Sequence, residues 1–297
     1  MPNTSETLQG YTSPSIMSGS WDPILNELKK TTVKRTNLVW GLFVSECSYK
    51  LETYEPLFGI EWEVENFTKS GLIETIGRAG PWGHVVDNSL RHNGLELVFQ
   101  GGQNYRISVD AMRNTYPILY ENGIQFSHRT SIHVHNCVFM KTKEELAKYV
   151  FLYYLVEPYL FEFVRRNRQY NNFCVPLRAL EPTRISGVNL SKIPKYAALG
   201  AFRLSGLGTL EWRHLPGNAS LDTILKWLEM INNLDRYTFR TDPEDPIYTL
   251  SQAIRYWWRN PENLQEVIRN IFGFDLSSEY LKEQILKFHS FSLGEFL

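Results

Sequence analysis

A repeated alternation of apolar and charged residues governs how this chain folds. It occurs in four short segments, FGIEWEV, GLELVF, TSIHVHNCVF and GTLEWRHL. Side chains i and i+2 of a strand point to the same face, so each segment predicts a strand with one apolar face on a core. The other face of each strand carries groups that bind metal ions or phosphate.

The polar faces of these strands carry an unusual set of side chains. They hold Glu61 and Glu63, Glu96, His133 and His135, and Glu211 and Arg213. Any one face has an ordinary interpretation as a solvated strand surface, but such surfaces usually mix Lys, Thr, Ser and Gln. If the strands share one sheet, the carboxylates converge, repel one another and become protonated unless cations neutralise them.

Divalent cations are the expected partners of such a cluster. Carboxylates with one or two imidazoles suit Mg²⁺ or Mn²⁺ better than zinc or an iron–sulfur cluster. Mg²⁺ held by few carboxylates completes its shell with water and phosphate oxygens, which indicates a nucleoside triphosphate. Arg213, beside Glu211, is suited to neutralise charge on a transferred phosphoryl group.

Composition restricts the class of protein. The chain has 297 residues, 43% of them hydrophobic, and 31 Lys and Arg against 32 Asp and Glu, which excludes collagen-like, coiled-coil and wholly disordered proteins. The balanced charge gives no general footprint for nucleic acid or membrane, although a local basic patch stays open. We expect no membrane span and no secretory signal, and three scattered cysteines, Cys47, Cys137 and Cys174, favour a reduced, cytoplasmic protein.

Three regions are predicted along the chain. Residues 1–20 form a flexible tail, 21–237 a catalytic domain and 238–297 a helical extension with helices near 250–258, 262–271 and 279–288. A helix over 142–168 begins with a capping box at Thr142 and Glu145, and Pro158 is expected to kink or split it. Glu157 lies on its apolar stripe, where a structural pairing is favoured over a cavity rim. A second helix, 221–234, has Ser220 as its N-cap.

The order of the motifs resembles a known family. Phe58-Gly59-Ile60-Glu61-Trp62-Glu63, Asp87-Asn88-Ser89-Leu90 leading to Gly94–Val98, His133-Val134-His135 and Gly208–Arg213 follow one another as in the amidoligase family of carboxylate–amine ligases, within the glutamine synthetase-like superfamily. The Arg165-Arg166-Asn167-Arg168 cluster ahead of Tyr170–Leu177 is also similar. The resemblance covers about residues 55–235.

This resemblance implies a fold and a reaction. The fold is α+β, with a curved antiparallel sheet whose concave face holds ATP and Mg²⁺ (or Mn²⁺), helices on its convex side and a helical C-terminal segment. A substrate carboxylate attacks the γ-phosphate of ATP to give an acyl phosphate, and an amine then displaces phosphate and forms an amide. The substrates stay open: small molecules, peptides, a modified polymer or a modified nucleobase.

The resemblance also implies residue roles. Glu61, Glu63, Glu96 and Glu211 correspond to metal ligands, His133 or His135 to a metal or phosphate ligand, and Arg213 to the residue that stabilises the phosphoryl group. Arg165, Arg166 or Arg168 reaches nucleotide phosphates or only complements a helix C-terminus. Asp87 orients the amine or a metal-bound water, or only forms a turn. Two departures, Phe99-Gln100-Gly101-Gly102 in place of Ser-Pro and Gly200 in place of Asn, concern the substrate pocket and a nearby loop.

Two other functions remain open at this point. The same site can serve a phosphotransferase of the guanidino-kinase kind, which phosphorylates a substrate without condensation. A non-catalytic binding or structural protein can retain the fold, with Tyr256, Trp257 and Trp258 in partner contacts, although core packing is the simpler interpretation of those aromatics. No GxxxxGK[ST] motif is present, so a P-loop is excluded.

Overall fold

The computed structural model describes residues 54–67, 71–139, 141–180, 193–239 and 244–292. The predicted tail and Cys47 lie outside these residues. The described chain is α+β with a mostly antiparallel, open sheet, which confirms the predicted class at that level. Two compact units make up the chain: unit 1 contains the described residues of 57–135 and 215–225, and unit 2 contains those of 54–56, 136–214 and 226–292.

Unit 1 is built on four neighbouring strands and two helices. In chain order its elements are β1 Leu57–Val64, α1 Leu72–Ala79, β2 Trp82–Val86, β3 Leu95–Phe99, β4 Gln103–Asn104, α2 Tyr105–Glu121 and β5 Ser131–Cys137, whose residues up to His135 belong to this unit. The strands lie in the order β2-β3-β1-β5, and β4 pairs with β1. The predicted strands around Glu61, Glu96 and His133 are therefore confirmed.

The apolar face of β1 anchors unit 1. Phe58, Ile60 and Trp62 are fully buried, as the alternation predicts. The Trp62 indole stacks on Phe126 and donates a hydrogen bond from Nε1 to the carbonyl oxygen of Gly217 at 3.0 Å. Burial of a ring this size stabilises the unit by about 2–3 kcal/mol. Because this face is fixed inward, the glutamates at alternate positions share the opposite face.

Unit 2 is organised around a long helix and one strand. Its elements are α3 Lys143–Val164, two short 3₁₀ turns at Arg166–Tyr170 and Leu177–Ala179, β6 Leu199–Gly200, α4 Leu204–Leu207, β7 Thr209–Pro216, α5 Leu221–Thr238, α6 Leu250–Arg259, α7 Pro261–Phe272 and α8 Ser278–Ser292. The first five residues of α5 and the last two of β7 belong to unit 1. β6 pairs antiparallel with β7, with Gly200 opposite Glu211.

The long helix α3 confirms one prediction and corrects another. The capping box of Thr142 and Glu145 is present, but the helix ends at Val164 and is not split at Pro158. Proline has no N–H to donate to the Tyr154 carbonyl one turn earlier. The Arg178 guanidinium takes over that role, because its Nε donates to the Tyr154 oxygen at 3.1 Å.

The C-terminal helices match the sequence pattern. The helices predicted near 250–258, 262–271 and 279–288 correspond to α6, α7 and α8, and Ser220 Oγ accepts the Thr223 N–H at 3.2 Å as the predicted N-cap of α5. Trp257 is buried and stacks on Phe151, which confirms core packing at that position. Among the described helices, none combines the length and the apolarity that a bilayer crossing requires.

Candidate functional site

The register of unit 1 brings acidic side chains face to face. β1 and β3 pair so that Glu63 lies directly opposite Glu96, with Glu61 two residues along the same face of β1. Like charges at directly opposed positions of an antiparallel pair destabilise the sheet. Glu96 is buried and Glu63 half-buried, so water screens this repulsion poorly. A cation bound between these two carboxylates would reduce their mutual repulsion.

Two imidazoles on β5 face Glu61. His133 Nδ1 donates to Glu61 Oε2 at 3.4 Å, and His135 Nε2 lies 3.2 Å from Glu61 Oε1. Alternation along β5 places both histidines on one face, with Ile132 and Val134 buried on the other. The carboxylate of Glu61 thus lies between two imidazole nitrogens.

The electrostatics of Glu61 keep it ionised. Burial raises the pKa of this carboxyl, but the charge of His135 and the hydrogen bonds from His133 and His135 outweigh burial and hold the pKa well below its usual range. An ionised carboxylate is the form that ligates metal. Glu61 is therefore suited to be a metal ligand at neutral pH.

Three of these side chains can share one ion. Glu61, Glu96 and His133 offer one ligand atom each, and these atoms all lie within 4.8 Å of one another at positions that are 6%, 2% and 4% exposed. Ligand atoms at 2.0–2.1 Å from an octahedral Mg²⁺ lie about 3–4 Å apart. The donor set therefore fits a divalent ion with small side-chain adjustments, and its carboxylate majority favours Mg²⁺ or Mn²⁺.

In unit 2, β7 presents the other pair of predicted residues. The Arg213 guanidinium forms an ion pair through Nη1 with Glu211 Oε1 and donates from Nε to the Phe173 carbonyl oxygen at 3.0 Å. Both side chains are buried, at 8% and 4% exposure. A guanidinium held by two acceptors keeps a fixed direction and its full charge. This is the property that stabilisation of a phosphoryl group requires.

The three arginines after α3 have different surroundings. Arg168 is buried and donates from Nε to the His214 carbonyl at 3.0 Å and from Nη2 to the Arg213 carbonyl at 2.9 Å. It thereby fixes the backbone of β7 beneath Arg213. Arg165 and Arg166 are exposed. Arg168 therefore stabilises the strand, whereas Arg165 and Arg166 are accessible to solvent.

Asp87 lies in a turn. Its Oδ1 accepts the Ser89 N–H at 2.8 Å, and its carbonyl accepts the Leu90 N–H at 3.2 Å. Side-chain acceptance two residues on is the Asx-turn geometry of Asp. These contacts account for an Asp at this position by local structure, in agreement with the turn-forming alternative.

A buried network behind β7 escaped the sequence analysis. Tyr153 donates from its hydroxyl to Glu157 Oε1 at 2.7 Å and lies 3.0 Å from His214 Nε2. Glu157 also accepts the backbone N–H groups of Leu177 and Arg178 at 2.6 and 3.0 Å, which confirms its structural pairing. Burial, reinforced by the charge of Arg168, lowers the pKa of His214 to about 3. The sequence feature that could have indicated this network is the spacing of Tyr153 and Glu157, which lie four residues apart on α3.

The described cysteines are inert at neutral pH. Burial raises the pKa of Cys137 to about 11 and that of Cys174 to about 12. Thiols in such settings remain protonated and are poor nucleophiles. Neither of these two cysteines is therefore suited to act as a nucleophile.

Known proteins offer no family assignment. No family model matches the chain, and no curated protein matches its sequence. The resemblance to amidoligases consequently rests on the ordered short motifs alone. Three residues of these motifs, Glu61, Glu96 and His133, form the buried cluster described above.

Proposed function

We propose that the protein is an ATP-dependent carboxylate–amine ligase with a glutamine synthetase-like fold. The observation that carries the proposal is the buried group of Glu61, Glu96 and His133, whose ligand atoms lie within 4.8 Å of one another. Burying two carboxylates with no bound cation costs several kcal/mol by desolvation and repulsion. The imidazoles beside Glu61 offset part of this cost, and a divalent ion ligated by both carboxylates would offset more of it.

In this proposal each residue has a defined task. Glu61, Glu96 and His133 hold Mg²⁺ or Mn²⁺, Glu63 adds a carboxylate beside Glu96, and His135 orients Glu61. The ion neutralises phosphate charge and orients the phosphate oxygens. The resemblance adds Glu211 as a metal ligand and Arg213 as the group that stabilises the transferred phosphoryl.

The proposed reaction has two steps. An oxygen of the substrate carboxylate attacks the γ-phosphorus of ATP, the bond from that phosphorus to the bridging oxygen breaks, and ADP leaves. The amine nitrogen then attacks the acyl carbon, inorganic phosphate leaves with the electrons of the C–O bond, and the nitrogen loses a proton. Arg213 acts in the first step, because its positive charge stabilises the negative charge of the phosphoryl group during its transfer.

The test begins with nucleotide binding. Calorimetry with ATP in the presence and absence of Mg²⁺ is compared for the parent protein, Glu96→Gln and the control Glu74→Gln, which makes the same change at an exposed position of α1. We expect Mg²⁺-dependent binding in the parent and the control and its loss in Glu96→Gln. Absence of Mg²⁺-dependent ATP binding in the parent contradicts the proposal.

Product analysis then identifies the reaction. The protein is incubated with ATP, Mg²⁺ and pools of carboxylic acids and amines, and the mixture is examined for ADP, phosphate and a product mass equal to acid plus amine minus water. A condensed product supports the ligase. A stable phosphorylated product without condensation supports the phosphotransferase instead.

A further inference from the structure

Exposed aromatic rings are concentrated in one part of unit 2. Among the described residues the exposed aromatic side chains are Tyr120, Tyr170, Phe173, Tyr196, Phe202 and Trp258. Four of these six lie between residues 170 and 202, with exposures of 80%, 55%, 40% and 52%. Exposed apolar rings gathered in this way mark an interaction surface more often than scattered ones do.

Three of these rings and two cations form one continuous surface. Phe173 meets Tyr196 edge to face with ring centroids 5.2 Å apart. Lys195 Nζ lies 5.4 Å from the Tyr196 centroid and 5.9 Å from that of Phe202, and the Arg203 guanidinium lies 5.5 Å from the Phe202 centroid. We call Phe173, Lys195, Tyr196, Phe202 and Arg203 the aromatic–basic surface.

Positive charge is in excess in the part of the sequence that carries this surface. Residues 162–211 contain eight Lys and Arg against three Glu and no Asp, whereas the whole chain has 31 Lys and Arg and 32 Asp and Glu. Arg168 and Arg178 are used internally, as described above, but Arg165, Arg166 and Lys195 are exposed. A solvated surface normally mixes both signs in similar number, so this excess of cations indicates an anionic partner.

We propose that the aromatic–basic surface binds single-stranded nucleic acid. Such a ligand combines flat apolar bases, which stack on exposed rings, with a phosphate at every residue for the cations. Bases within a duplex are already stacked and do not reach rings on an open surface, which favours the single strand. The surface contains none of the residues proposed as metal ligands, but it adjoins Arg213, whose guanidinium lies 5.7 Å from the Tyr196 ring centroid and donates from Nε to the Phe173 carbonyl oxygen at 3.0 Å.

The test is fluorescence anisotropy of labelled 12-nucleotide oligo-dT and oligo-rU with the full chain. Engagement of Lys195 and Arg203 predicts that raising salt from about 50 to about 200 mM weakens binding about sevenfold. Phe173→Ala with Phe202→Ala is expected to weaken binding at least about 10-fold, since each base–ring stack contributes strongly. Lys195→Gln with Arg203→Gln is expected to flatten the salt dependence.

A matched control is available elsewhere in unit 2. Trp258 is 41% exposed and has Lys282 Nζ at 5.9 Å from its ring centroid, but it lies on α6, outside the cation-rich residues 162–211. Trp258→Ala should therefore bind as the parent does. The changed rings are exposed, so circular dichroism and melting temperature should be unaltered in all variants.

Three outcomes overturn the inference. One is no anisotropy change at low salt. Another is a loss in Trp258→Ala equal to that in the Phe173 and Phe202 variant. A third is displacement of the oligonucleotide by ATP at the same phosphate concentration, which would make the surface a site for a mononucleotide instead.

Discussion

Glu61 in unit 1 and Glu157 in unit 2 are both buried glutamates, but they have opposite surroundings. Glu157 receives two backbone N–H groups and the Tyr153 hydroxyl, all supplied by the fold itself. Glu61 faces two histidines and shares its face with further glutamates. A carboxylate whose acceptor capacity is filled by backbone donors is structural, whereas one surrounded by other ligating groups is prepared for a ligand.

The pKa values of the two glutamates follow the same division. Burial dominates at Glu157 and raises its pKa despite the hydrogen bonds that oppose it. At Glu61 burial acts in the same direction, but attraction to His135 and His133 prevails and lowers the pKa. Equal burial therefore does not mean equal chemistry: at Glu157 the hydrogen bonds and the charge of Arg178, whose Nε is 3.8 Å away, only partly offset burial, whereas at Glu61 the two histidines outweigh it.

The largest expected effect is on stability at Glu157. Glu157→Ala leaves the backbone N–H groups of Leu177 and Arg178 without their acceptor and removes one of the two hydrogen-bond partners of the buried Tyr153 hydroxyl. We expect a loss of about 3–5 kcal/mol in the free energy of unfolding. Urea denaturation measures it, with Glu162→Ala, at an exposed position of the same helix, as control. A loss below about 1 kcal/mol would remove the distinction between the two glutamates.

The matching change in unit 1 is expected to act on binding and not on folding. Glu96→Gln removes one of two directly opposed carboxylates, so the metal-free protein should be unchanged or more stable by about 0.2–1 kcal/mol. Mn²⁺ affinity, followed by electron paramagnetic resonance, should fall at least about 100-fold, equivalent to about 2.7 kcal/mol. A loss of stability in the folded variant without any change in its Mn²⁺ affinity would assign Glu96 to the structure.

A third effect concerns His214, the neutral imidazole of the unit 2 network. Its pKa falls from 6.5 to about 3 in the folded protein, so only the unfolded chain takes up a proton as the pH drops below 6.5. Stability present above pH 6.5 is therefore lost as the pH falls towards 3, by about 2 kcal/mol between pH 7 and pH 5. His214→Gln should lack this part of the slope in denaturation curves across that range. An identical slope in both proteins would refute the neutral buried imidazole.

Much of the candidate site is already encoded locally. The alternation in Ile60–Val64 and in Ile132–His135 fixes which side chains share a face, because the apolar members can only point to the core. The capping box at Thr142 and the cap at Ser220 are equally local. Such features depend on residues a few positions apart, which a sequence displays directly.

Other features depend on distant pairings and could not be foreseen. The opposition of Glu63 and Glu96 needs the β1–β3 register, which joins residues separated by more than thirty positions. Arg165, Arg166 and Arg168 look alike in sequence, but only Arg168 meets the carbonyls of β7. His214 occupies a position on the apolar face of β7, so the strand pattern did not indicate its hydrogen bond to Tyr153 on α3.

The smallest expected effect separates two roles of Arg178. Its backbone N–H holds Glu157, whereas its guanidinium donates to the Tyr154 carbonyl that Pro158 leaves without a helical donor. Arg178→Gln should cost about 1–2 kcal/mol, and less in a Pro158→Ala background, where the substituted residue supplies the missing N–H. A double-mutant cycle by urea denaturation should thus give a coupling of about 1 kcal/mol. Zero coupling would mean that the guanidinium stabilises the protein through its ion pair with Glu157, whose Oε2 lies 3.8 Å from Arg178 Nε, and not through the Tyr154 carbonyl.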